Sequence, residues 1–105
     1  MSSKKKFTSE VNFGRALQQL RDARGVTQED LLPRSSRRSV GRIEHGAQVP
    51  SFRTIDRLAE GLDIHPLTLI VLAYCQTSSS TAVNQLFEAV KSDLIELVHD
   101  KDRNR

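Results

Sequence analysis

Apolar residues recur along this chain at steps of three and four, the spacing that lines one face of a helix. Val11, Phe13, Ala16, Leu17 and Leu20 form the first such set. Ser9 stands where it can cap that helix, and Gly25 supplies a left-handed residue to end it. Thr27 caps a second helix, with Asp30 three residues on in the acidic place of a capping box. Pro33 cuts this helix short. A third helix, capped by Ser35 or Ser36, runs to about His45 and stops at Gly46. Gln48-Val49-Pro50 reads as a loop. Ser51 caps a fourth helix whose apolar face is Phe52, Ile55, Leu58, Ala59 and Leu62. His65 caps a fifth, with Pro66 at the first helical position, where its missing N–H does no harm.

Gln76 to Ser80 is a polar, serine-rich linker. Beyond it a last helix is predicted over about Thr81 to Val98. Its Val83, Phe87, Val90, Leu94 and Leu97 alternate steps of four and three, a heptad seam widened by Leu86, Ile95 and Val98. Such a seam has to be covered. It can fold back on the domain, pair with its copy in a second chain, or meet a different protein. The chain thus divides into a flexible basic arm (1–8), a globular domain (9–75), a linker (76–80), a C-terminal helix read as a dimerisation element (81–99) and a disordered tail (100–105). The fold class is all-α: a compact bundle of about five helices with a C-terminal amphipathic helix appended.

With 105 residues, 37% of them apolar, the chain supports a small core rather than a deep catalytic cavity. The single cysteine, Cys75, excludes an intramolecular disulfide and fits a reducing compartment. Lys4-Lys5-Lys6 precedes polar residues rather than an apolar run, so no signal peptide is expected. The apolar run Leu67 to Tyr74 is too short to span a bilayer. These features point to a cytoplasmic protein with no membrane partner. Charge is unevenly placed. Residues 1–60 hold twelve Lys/Arg against seven Asp/Glu, whereas 61–105 hold four against six. The first part suits a polyanion; random surface variation is the bland alternative.

The third predicted helix concentrates that charge. From Arg34 to Arg42 there are four arginines and no acid. Val40 and Ile43 point inward, leaving Arg37, Arg38, Gly41 and Arg42 outside that stripe. A guanidinium fork can meet O6 and N7 of guanine together, or grip a phosphate, and a helix of this width fits the major groove. The serine-rich turn adds hydroxyls and free amides, which bind phosphate. A solvated arginine face is the alternative on charge alone. Gly41 costs about 1 kcal/mol relative to alanine in mid-helix. Close approach of the backbone to DNA, or to the second helix, would account for it.

Phe13-Gly14, Leu20-Arg21, Gly25 to Leu31, Arg42 to Gly46, Pro50-Ser51, and Leu58-Ala59 with Leu62 form an ordered set. Together they resemble the Cro/C1-type (XRE-family) helix-turn-helix regulators, over about Phe13 to Leu72. The resemblance implies a lambda-repressor-like bundle that binds double-stranded DNA, its third helix in the major groove. It implies that Gln28 contacts phosphate, that Arg37, Arg38 and Arg42 read bases with Ser36 beside them, and that Gln48 and Ser51 touch the backbone. It further implies a structural ion pair between Arg21 and Glu44. Thr27 to Glu44 is a couple of positions shorter than the commonest family pattern, and Pro33 replaces the usual glycine turn, so the second helix or the turn is shortened.

Other chemistry finds little footing. His45, His65 and His99 have no second ligand at metal spacing, and no phosphate-cradling glycine loop is present. Cys75 sits in an apolar run and reads as an inert thiol. Lys4 to Lys6 suit either a DNA-tracking arm or a solubilising tail. No catalytic residue, cofactor or metal is expected, and an enzyme is not. The leading expectation is a transcriptional repressor that binds an inverted repeat as a homodimer, paired through Val83, Phe87, Val90, Leu94 and Leu97. Two others stay open: a DNA-binding antitoxin whose C-terminal helix covers a toxin, and a protein-interaction module that does not read DNA sequence.

Overall fold

The computed structural model describes residues 11–31, 37–75, 77 and 79–98. The basic arm, Ser9, Pro33, Arg34, Ser35, Ser36, His99 and the tail lie outside these. Helices α1 (Phe13–Arg24), α2 (Arg37–Glu44), α3 (Phe52–Leu62), α4 (Pro66–Tyr74) and α5 (Ser80–Leu97) follow in order, with a 3-10 turn at Glu29–Leu31 between α1 and α2. No strand occurs among the described residues. None of these helices is long and apolar enough to cross a membrane.

The core is built where the apolar faces of the first four helices meet. Leu17, Leu31, Val40, Ile43, Leu58, Leu62 and Leu69 are enclosed, with Val11, Phe13 and Leu20 packed around them. Each enclosed leucine stabilises the fold by about 1.5–3 kcal/mol relative to exposure. Several caps lie where the sequence places them. Gly25, at φ 68°, ends α1. The Ser51 hydroxyl accepts from the Thr54 N–H at the start of α3. The His65 Nδ1 accepts from the Leu67 N–H, and Pro66 opens α4. Asp63 closes α3 in the left-handed region, at φ 59°.

Four expectations are corrected. First, α1 is capped by Asn12, not Ser9: Asn12 Oδ1 accepts from the Arg15 N–H at 2.9 Å. The Asn12 N–H in turn donates to the Ala73 carbonyl at 2.8 Å, which holds the incoming segment against the end of α4. Val11 therefore packs on the core from outside the helix. Second, among the described residues the helical part of the second segment is a three-residue 3-10 turn, Glu29–Leu31. Thr27 and Asp30 do exchange bonds, at 2.9 and 3.1 Å. Third, Phe52 is 80% exposed. It shares a face with Ile55, but helical side chains lean toward the N-terminus, which carries this first-turn ring past the edge of the core. Fourth, α5 begins at Ser80 rather than Thr81, capped by the Ser79 hydroxyl. No α5 residue is buried; Val83 and Leu86 are half-covered, while Phe87, Val90, Leu94 and Leu97 stand exposed. The seam is therefore not covered by folding back on the domain.

Candidate nucleic-acid interface

The site is organised around α2, eight residues long and too short to hold its shape alone. Val40 and Ile43 anchor it in the core. Gly14 lets α1 settle directly on its end: a Cβ there would meet the Glu44 carbonyl oxygen at 2.6 Å and that of Ile43 at 2.8 Å. Arg21 then reaches Glu44 with two parallel bonds, Nε to Oε2 at 2.6 Å and Nη2 to Oε1 at 3.0 Å. Its Nη1 donates to the Val26 carbonyl. Glu44 is 3% exposed and Arg21 17%. The hydrogen bond to Glu44 raises the Arg21 guanidinium above its ordinary range, against the opposing effect of burial. A bidentate pair of this kind is strong in geometry and costly to halve.

Gln28 joins this network: its Nε2 donates to Glu44 Oε1 at 2.6 Å. The resemblance assigns Gln28 to phosphate. The structure gives its amide an interior partner as well, tying the segment before the 3-10 turn to the end of α2. Nothing in the sequence spacing singles out this bond, because it links residues sixteen apart through a carboxylate already paired.

On the outer side, Arg38 and Arg42 are exposed, four residues apart and so on one side of the helix. Arg42 Nε donates to Gln48 Oε1 at 3.3 Å, which links the helix to the loop that follows. Gln48 is half-buried. Gly41 lies beside the arginines with no heavy atom of the described residues within 4 Å of where its Cβ would be. Close approach to the described part of the second segment, residues 27–31, therefore does not explain it. The Ser51 hydroxyl is engaged at the start of α3, with the Thr54 N–H and, at 3.1 Å, the Thr54 hydroxyl. Ser36 and the side chain of Arg37 lie outside the described residues. The structure thus joins Arg21, Gln28 and Glu44 beneath α2, and Arg42 with Gln48 at its rim. Gly14 was legible only as a family residue, although a glycine inside an apolar helix is itself a sign of close packing.

Among the described residues no group of three or more His, Cys, Asp or Glu side chains is placed to hold a metal.

The helix-turn-helix domain family matches residues 12–69. Among solved structures, the chain is similar to the restriction-modification controller protein C.AhdI from Aeromonas hydrophila. Identity is 40%, the TM-score is 0.52, and the match covers 60% of this chain and 98% of that one. No curated protein matches the chain. The match spans α1 through the first turn of α4, the part whose core anchors α2, and leaves α5 outside. With more than half of its length matched and the same all-helical fold as a controller protein, the chain belongs to the helix-turn-helix domain family and is a DNA-binding transcription regulator.

Proposed function

We propose that this regulator is a cytoplasmic, sequence-specific repressor that binds an inverted-repeat operator as a homodimer, with α2 in the major groove. It acts as a binding protein, not an enzyme. The observation that carries this reading is the division of α2: Val40 and Ile43 are enclosed while Arg38 and Arg42 face solvent. In this arrangement Arg42 reads a base edge, steadied by Gln48. Arg37 and Arg38, with Ser36, complete the base-reading set, and Gln28 and Ser51 serve the phosphate backbone. Two copies place their α2 helices about 34 Å apart on one face of the duplex.

Affinity selection of genomic fragments tests the reading. An enriched motif with two-fold symmetry and half-sites one turn apart is expected. Arg42→Ala should weaken operator binding by about 1–3 kcal/mol and relax preference at one base pair per half-site. A folded Arg42→Ala protein that binds like its parent would remove α2 from the groove. Binding should also weaken steeply with salt.

The 40% identity to a restriction-modification controller protein supports a narrower second reading, in which the chain controls the genes of such a system. Restriction and methyltransferase genes beside its own, with the selected operator upstream of them, are the expected outcome.

A further inference from the structure

The helices α4 and α5 diverge from the linker and leave an apolar groove of about 1150 Å³ between them. Leu67, Ile70 and Val71 line it from α4, and Val83, Phe87 and Leu94 from α5. His65, Tyr74, Lys91 and Asp93 are the titratable groups that line it. We propose that the groove is filled by α5 of a second copy of this chain. The two α5 helices run antiparallel across a two-fold axis at Val90, each seated in the other's groove. This deepens the homodimer reading above by placing the interface in a helix that the family match does not include.

Size agrees with this occupant. An 18-residue helix is about 27 Å long and about 10 Å across, so half-embedding it displaces about 1000 Å³. Area agrees as well. Phe87, Val90, Leu94, Ile95, Leu97 and Val98 are 47% to 76% exposed. With Leu67 they present on the order of 800 Å² of apolar surface, the share each partner contributes to a standard interface. A patch of that size exceeds what a monomer of this kind ordinarily leaves bare.

The seam also matches itself in reverse. Val83 and Leu97 lie seven residues on either side of Val90, and Phe87 and Leu94 lie three before and four after it. Coverage along α5 decides the direction. Its first turns lean on α4, with Val83 and Leu86 half-buried, while Leu97 and Val98 are bare. Antiparallel pairing lays the bare end of each helix over the covered root of the other. Parallel pairing would set two bare ends together with no α4 behind them. It would also align Asp93 and Glu96 with their own copies, whereas antiparallel pairing about Val90 separates each acid from its copy along the axis and opposes the helix dipoles.

The test uses the full-length protein without DNA, in a Cys75→Ala background. Sedimentation should give a dimer mass, and Leu94→Asp should give a monomer of unchanged helix content. Under oxidising conditions Val90→Cys should cross-link to itself, since the axis brings its Cα atoms within disulfide reach. Val83→Cys alone should not cross-link, but should do so when mixed with Leu97→Cys. A parent that sediments as a monomer, a Leu94→Asp protein that remains dimeric, or self-linking by Val83→Cys would overturn the proposal. Operator binding is read in the same samples. A dimer that binds no DNA refutes the regulator reading and upholds the interface; a monomer that binds its operator does the reverse.

Discussion

Gly14 and Gly41 both lie inside helices, where glycine costs about 1 kcal/mol relative to alanine. At Gly14 the neighbours are backbone oxygens at 2.6 and 2.8 Å, which cannot rotate away. Gly14→Ala should therefore destabilise by about 1–3 kcal/mol in urea unfolding, because α1 must lift off α2. At Gly41 no other described residue beyond its own helix backbone comes within 4 Å of where the Cβ would stand. Gly41→Ala should stabilise the fold by about 1 kcal/mol. Operator affinity should fall in the same variant if the α2 backbone lies against DNA, so stability and binding are expected to move in opposite directions. Beneath them, Arg21→Ala strands the nearly enclosed Glu44 carboxylate and should cost about 3 kcal/mol. Gln28→Ala removes one bond of the same cluster and should cost about 1 kcal/mol.

At the scale of elements, legibility followed how local each cause is. Gly25, Ser51 and the His65-Pro66 pair act within one turn of themselves, and their helix ends were readable from spacing alone. The start of α1 was not, because Asn12 is held in place by a bond to Ala73, sixty-one residues away. The outward turn of Phe52 has a similar origin: periodicity reports a face but not where the core stops. Among site residues, the sides of Arg42 and Ile43 were legible from the helical period, while the bond from Gln28 to Glu44 depended on how separate elements pack. The Thr27–Asp30 box makes a prediction at this scale. The Thr27 N–H holds the Asp30 carboxyl below its ordinary range, with a further contribution from the Thr27 hydroxyl. The charged form is favoured on folding, so its contribution is present at neutral pH and is lost as pH falls through the depressed folded value. Thermal unfolding should show this acid loss in the parent, and Asp30→Asn should lack that component.

Across the whole molecule, charge and apolar surface are segregated. The basic surplus lies in residues 1–60, which hold α2, and the exposed apolar seam lies in α5, where acids outnumber bases three to one. On the proposed reading, DNA recognition and pairing fall to separate parts of the chain, so a change in α5 should weaken operator binding through loss of the dimer while leaving the bases read by α2 unchanged. The junction between them has a lock of its own. Arg15 donates from Nη2 to the Leu72 carbonyl at 3.3 Å and to the Cys75 carbonyl, fastening the last turn of α4 to α1 just before the linker. Among the described residues every enclosed side chain lies at or before Cys75. A chain cut after Thr77 should accordingly still fold, melting below the parent by what α5 packing and pairing contribute. Fused at that cut to a different pairing module, it should accept a new spacing between half-sites while reading the same bases, a rewired switch with its alphabet unchanged.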